Sequence, residues 1–476
     1  MASNEKFNFA QSVAEALADS QLRANFRFAT DTLIQRRSTV FATQEETDFL
    51  RDVGSALKKD VLANLPDLLE RFEAQCVNNG IVVHWAETAK DANEIILSIL
   101  NEKGAKKVVK GKSMASEETH LNAYLEEHDK EVVETDFGEF IIQLCNEPPS
   151  HIIVPAVHKN RKQIAEVLAT HVEGMEYTED VDVMLANVRS TLREHFKTAD
   201  AGISGVNFGI VETGTLCLVE NEGNGRMCTT VPPLHIALMG IEKLVENVED
   251  IPAIYRLLCG SATGQRITTY FNMISGPRKK DERDGPTEVH LVLLDNGRSR
   301  IVNDPQLGDV LKCIRCGTCL NHCPVFTRIG GHAYGSAYPG PIGEILVPQL
   351  EGLNPKGAIA TASSLCDACA EACPVRIPIP EIIRRMRDES YGNSATAGVA
   401  GHGYKKNCIE SMVWRGWQWS QTSPFMNRMM LKGLAMFGKW IPVAGPLKSW
   451  MSVRSKPQFG KNSLKDLVKK EGVRHE

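Results

Sequence analysis

Apolar residues recur every three to four positions through FAQSVAEALADSQLRANFRFATDTLI and FLRDVGSALKKDVLANLPDLLERF, so residues 1–70 are expected to be helical. From about residue 75 the period changes. GIVVHWA precedes the helical pattern DANEIILSILNEKG, KKVVKG precedes SMASEETHLNAYLEEH, EVVETDF precedes GEFIIQLCNE, and HIIVPAV precedes KNRKQIAEVLATHV. Strand and helix in strict alternation predict an α/β domain, a parallel sheet with helices on its faces, over residues 71–300. Its second half reads as β-rich GISGVNFGIVETGTLCLVENEGNGRMCTTV, a helix over PPLHIALMGIEKLVENVED, and a last strand in EVHLVLLDNG. Residues 301–390 carry no β pattern and are expected to form a mostly helical domain, followed by a C-terminal region over residues 391–476.

Composition refines this picture. At roughly 150 residues per domain, 476 residues suggest about three units, and the 42% apolar and 24% charged content is that of a globular protein. The net charge of -5 hides an asymmetry: residues 391–476 hold 14 of the 54 basic side chains but only 4 of the 59 acidic ones. No run of eighteen apolar residues appears, and MASNEKFNFAQSVAEALADS lacks the order of a secretory signal. A cytoplasmic protein is expected, and a cytoplasmic chain keeps its thiols reduced, so its 13 cysteines point away from a disulfide framework and clustered ones towards metal. Six are scattered (Cys76, Cys145, Cys217, Cys228, Cys259, Cys408) and read as small buried apolar residues.

The other seven form two blocks. CIRCGTCLNHCP places Cys313, Cys316, Cys319 and Cys323 in C-x2-C-x2-C-x3-C-P, the spacing with which a chain wraps a cubane, the last thiolate crossing to a neighbouring cluster. CDACAEACP supplies Cys366, Cys369 and Cys373, and Ser363 stands where a fourth cysteine would fall. Crossed ligation assigns Cys313, Cys316, Cys319 and Cys373 to cluster 1, and Cys323, Cys366 and Cys369 to cluster 2. Cluster 2 is then either [3Fe-4S] or a [4Fe-4S] cluster whose fourth iron takes solvent, a partner's residue or a non-cysteine side chain such as Ser363. Structural zinc explains neither the third cysteine of each block nor the two Cys-Pro ends. Two clusters in one small domain imply a relay of electrons. Arg315 and Arg376 are expected to be solvated.

The α/β region offers two candidate pocket segments. Lys112 and Ser113 fall between a strand and a helix, where free N–H groups attract anions, although position 106 is a lysine, the P-loop pattern fails, and a capped helix start with solvated lysines is the other reading. Glu212, Thr213, Asn224 and Arg226 lie in VETGTLCLVENEGNGR, whose glycines would let a ligand approach backbone; ENEGNG alone also suits a hairpin turn. The tail concentrates five of the six tryptophans and six of the fourteen methionines among basic residues. Such a segment suits packing, docking on an acidic partner, or peripheral contact with the inner face of a membrane. Nothing supports a nucleic-acid role.

The strings NFGIVETGTLCLVENEGNGR, LHIALMGIEKLV, PTEVHLVLLDNGRS, CIRCGTCLNHCPV, YGSAYPGPIG and SSLCDACAEACPV together resemble the lactate utilization protein B family over nearly the full length. The resemblance implies a lactate-utilization domain related to the sugar-isomerase and CoA-transferase type of α/β fold, followed by a ferredoxin-like domain with two [4Fe-4S] clusters on the same seven cysteines. It also implies two companions, one a cysteine-rich cluster-binding protein and the other a smaller α/β protein, with which the family oxidises L-lactate to pyruvate. The chain is accordingly expected to be a non-catalytic electron-transfer subunit. The alternative is that the α/β domain itself oxidises lactate, with the clusters as its internal wire. The catalytic residues stay unassigned, and no flavin fingerprint is present.

Overall fold

The computed structural model describes residues 7–390, 408–442, 451, 455–456, 460 and 464–471. Four helices open the chain: α1 (Phe9–Ala18), α2 (Ser20–Val40), α3 (Gln44–Ala63) and α4 (Leu65–Asn78). Ten strands follow among the described residues: β1 (Val82–Ala86), β2 (Lys107–Lys110), β3 (Glu131–Glu134), β4 (Ala201–Gly205), β5 (Phe208–Ile210), β6 (Thr215–Glu220), β7 (Leu234–Gly240), β8 (Leu244–Val245), β9 (Tyr270–Ile274) and β10 (Glu288–Leu294). Six make an all-parallel sheet in the order β1-β10-β7-β4-β2-β3, as the alternation of strand and helix requires. The remaining four form a smaller sheet, β8-β5-β6-β9.

The central strands are buried on both faces, and their side chains alternate accordingly. Ala237 and Met239 of β7, with Val289, Leu291 and Leu293 of β10, pack on Leu65, Leu68 and Phe72 of α4 and on Leu216 and Leu244 of the small sheet. Ile236 and Leu238, with Val292 and Leu294, pack on Ile96, Ile99 and Leu100 of the helix Ala89–Glu102. A third core joins Phe26 of α2, Ile254 and Leu257 of the helix Ile251–Ala262, and the cysteine region from Leu307 to Met386. The described residues up to 390 thus form one compact unit.

Four segments differ from the sequence expectation. The helix expected over PPLHIALMGIEKLVENVED is instead strand β7, a 3₁₀ turn and β8. The strand expected at residues 151–157 is a loop, because the ring Nδ1 of His151 accepts the N–H groups of Ile153 and Val154 (3.0 and 3.2 Å) in place of a ladder. The helix expected over SMASEETHLNAYLEEH is broken at His120, whose φ is 53°, into Met114–Glu118 and Leu121–Glu126. ENEGNG does not close a hairpin either; Gly223, at φ 86°, starts the helix Asn224–Thr230.

The second unit contains helices Cys408–Thr422, Pro424–Phe437 and Leu464–Glu471. Trp417, Trp419, Phe425, Met436 and Trp440 are exposed there, and Trp450 lies outside the described residues. No helix among the described residues is long and apolar enough to cross a membrane. Of the six scattered cysteines, Cys76, Cys217, Cys228 and Cys259 are buried as expected, Cys145 is half-buried and Cys408 is exposed, against expectation.

Candidate functional site

Both cysteine blocks have the same backbone shape. Arg315 and Gly317 (φ 60° and 71°) flank Cys316 in the left-handed region, and Leu365 and Asp367 (φ 55° and 69°) flank Cys366 in the same way. Two left-handed residues around the central cysteine curl the chain so that thiols two positions apart converge. Cys313, Cys316, Cys319 and Cys373 line one small cavity, closed by Ile152, Ile342, Val375 and Ile377. The short helix Thr318–Asn321 of the first block packs on the helix Ala368–Ala372 of the second, and Cys319, Cys323 and Cys369 share one core, so the two thiol groups adjoin. Cys366 alone of the seven is exposed.

These donors fit iron–sulfur clusters. Burial pushes the Cys323 thiol up to about 11 and that of Cys369 up to about 12, and raises Cys316, Cys319 and Cys373 as well. Crowded buried thiols become thiolates only where a metal takes the charge, because a coordinating cation deprotonates the thiol outright. Backbone N–H groups point at sulfur from Arg315 to Cys313 (3.4 Å), Phe326 to Cys323 (3.4 Å) and Ile377 to Cys373 (3.3 Å), a placement that stabilises negative sulfur and tunes potential.

The N-terminal helices brace this region, which sequence reasoning did not foresee. Arg51 of α3 donates to the carbonyls of Cys373 (2.9 Å) and Ala370 (3.1 Å), and Arg37 of α2 to Ala372 (3.2 Å), satisfying the carbonyls that end the short helix Ala368–Ala372. Arg376 is held by Asp48 (3.2 Å), and Arg315, expected to be solvated, is buried. Its guanidinium lies 4.8 Å over the Tyr338 ring and donates to Glu242 (3.1 Å). Arg298 completes the cluster, reaching Glu242 and Glu118 at 2.7 Å each, and Tyr338 donates to Glu118 at 2.7 Å. Burial opposes ionisation of Glu242, yet Arg298 and Arg315 hold its carboxyl down at about 2.

Above the carboxyl ends of β2, β3, β4 and β7 lies a cavity of about 820 Å³. That end of an open parallel sheet is where such folds bind ligands. Lys112, Ser113 and Asn224 line it, with Asn207, Glu222 and Lys243. Lys112 reaches the Ile153 carbonyl (2.6 Å), and Ser113 caps the Ser116 N–H (3.2 Å) at the start of this five-residue helix. Glu212, Thr213 and Arg226 do not line the cavity. Glu212 and Thr213 turn the corner between β5 and β6, where Glu212 caps Val248 (3.0 Å), while Asn221–Arg226 follow the far end of β6, about 20 Å away at 3.3 Å per residue. Arg226 is exposed, and its backbone N–H donates to Glu220 (2.6 Å).

Two of the cavity's ionisable groups are shifted towards neutrality. Burial, with Arg315 alongside, lowers Lys243 to about 7, and burial, with Asp136 alongside, raises Glu222 to about 7. Such groups can exchange protons at working pH. Arg315 and Ile152 wall both this cavity and the thiol-lined one, so the two are neighbours. Sequence reasoning missed Lys243, Arg298 and Tyr338: each is one polar residue in an ordinary segment, brought to the site by folding alone.

Residues 69–294 match the LUD domain family, residues 309–377 the 4Fe-4S dicluster domain and residues 385–473 the lactate utilisation protein B C-terminal family. The chain is 38% identical to lactate utilization protein B of Bacillus velezensis, across 97% of this chain and 96% of that one. It is 42% identical to lactate utilization protein B of Oceanobacillus iheyensis, across 87% and 86%. An uncharacterized electron transport protein of Escherichia coli is 40% identical across 88% and 87%.

Proposed function

The chain belongs to the lactate utilization protein B family, and from that premise we propose that it is the iron–sulfur electron-transfer subunit of an assembly that oxidises L-lactate to pyruvate. The observation that carries this reading is the pair of adjoining thiol groups, all of whose cysteines but Cys366 lie in or against one core. Cys313, Cys316, Cys319 and Cys373 hold cluster 1, and Cys323, Cys366 and Cys369 hold cluster 2. The clusters supply reversible one-electron redox change. The protein's part is to fix their separation, exclude water with Ile314, Leu320, Ile342 and Val375, and donate backbone N–H groups to sulfur. Oxidation of lactate releases two electrons and two protons, and a two-cluster relay accepts the electrons singly. Cys366, at the exposed rim, is the side from which an acceptor would be reached. The companions are two further lactate-utilization proteins, one cysteine-rich and the other a smaller α/β protein, and the exposed aromatic helices of the C-terminal unit suit docking on one of them.

The cavity favours a second reading, in which the α/β domain itself takes lactate. Lys112 and Lys243 would face its carboxylate, and Arg315 joins the cavity to cluster 1. One experiment separates the readings. The chain, purified anaerobically with its clusters filled, is given L-lactate alone and the visible cluster absorbance is followed, with dithionite marking full reduction. The relay reading expects bleaching by dithionite only. Bleaching by lactate would move the oxidising site into this polypeptide, and clusters that dithionite leaves unchanged would refute the relay.

A further inference from the structure

The helix Gly340–Glu351 carries one acidic side chain into the core of the cysteine region. Glu344 has 0% of its surface exposed, and neither carboxylate oxygen has a hydrogen-bond partner. A buried carboxylate in this state is costly: such groups are paired or coordinate a metal. A cation is within its field, since Arg387 acts on it, but that guanidinium is committed to the carbonyls of Ala360 (2.8 Å) and Ser363 (2.7 Å). The Glu344 carboxylate is near enough to act on the thiols of Cys323 and Cys369, two of the three cluster 2 cysteines, and on the Tyr334 hydroxyl, which is buried and likewise has no hydrogen-bond partner. Its helix packs between the segment Thr318–Asn321, just before Cys323, and the turn Gly357–Ala362, just before Cys366.

We propose that the Glu344 carboxylate is the fourth protein ligand of cluster 2, completing the set of Cys323, Cys366 and Cys369. This rests on the reading of those three cysteines as cluster ligands. Three thiolates and one carboxylate carry the charge of four thiolates, so a cubane held this way is electrostatically ordinary, while its oxygen-bound iron is chemically distinct. Ser363 is the competitor. It occupies the backbone place of Cys313: its Oγ accepts from Leu365 N–H (3.1 Å) as Cys313 Sγ accepts from Arg315 N–H (3.4 Å). A serine hydroxyl is far less acidic than a carboxyl group, so ionising it at the metal costs more, and Ser363 is partly exposed where Glu344 is sealed.

The test uses the full chain loaded anaerobically with Mössbauer-active iron, with cluster 1 in the same sample as the check on folding. The native chain is expected to show one iron with the isomer shift of an oxygen-bound site. Glu344→Ala should lose that subspectrum and one iron per chain, leaving a three-iron cluster visible by EPR after mild oxidation. Glu344→Gln, which preserves shape and guards against a folding defect, should lose the anionic donor and raise the potential of cluster 2 alone, while Ser363→Ala should change neither. Retention of the oxygen-bound iron in both Glu344 variants, or its loss in Ser363→Ala, overturns the proposal, as does a native chain whose second cluster holds three irons. A native chain with cluster 1 filled and no second cluster refutes the parent reading, and this proposal with it.

Discussion

Arg298 has 1% of its side chain exposed and holds two carboxylates, Glu118 and Glu242, that are themselves buried. Removing one member of such a set leaves charges in low dielectric with nothing to offset them, so Arg298→Ala is expected to cost about 3–5 kcal/mol. A lowered urea midpoint of the cluster-loaded protein at unchanged slope would show it; a midpoint within experimental error of the native chain would contradict the account. The partners lie 180 and 56 residues away in sequence, and nothing in PTEVHLVLLDNGRS marks the arginine as buried. Glu344 left a faint trace, an acid in the otherwise apolar PGPIGEILVP. The cysteines were legible because their chemistry fixes their spacing locally; a ligand or counter-charge delivered from a distant helix obeys no such rule.

Elements followed the same logic. The alternating strands and helices of the first half were readable because each helix lies on one face of the sheet and shows a period. β7 was misread because all seven of its residues are buried, and a strand apolar on both faces has the pattern of a buried helix. The loop at residues 151–157 was misread for a different reason: its β-branched run is real, but one side chain outcompetes the ladder. His151 Nδ1 accepts two backbone N–H groups, so Nε2 carries the proton and donates to Asn321 Oδ1 at 3.0 Å, two residues before Cys323. Burial lowers this ring to about 4, which keeps it neutral and the arrangement intact at working pH. His151→Ala is therefore expected to leave Ile153 and Val154 N–H unsatisfied, at a cost of about 1–3 kcal/mol. The loop walls both cavities through Ile152, so limited proteolysis should reveal new cleavage within 151–157. A digestion pattern matching the native chain would show that the loop is held by other contacts.

At the scale of the molecule, charge and hydrophobicity are segregated. The cofactor-bearing part is acidic, whereas residues 391–476 are basic and their described helical part exposes Trp417, Trp419, Phe425, Met436 and Trp440. Solvated aromatic area of this size is costly for a monomer, and the aromatic-rich, acid-poor composition is that of an interface core. A relay needs a place where electrons enter and a place where they leave, so a subunit devoted to transfer must present at least one dedicated docking surface. The double variant Trp417→Ser, Trp419→Ser in the full chain is expected to keep both clusters and the native visible spectrum. Its co-purification with the companion lactate-utilization proteins, and hence lactate-driven cluster reduction in the reconstituted mixture, should fall about tenfold or more, since each buried tryptophan at an interface centre is worth about 2 kcal/mol or more. Unchanged assembly with loss of binding to anionic phospholipid vesicles would instead assign these helices to a membrane surface, where basic and aromatic side chains meet headgroups.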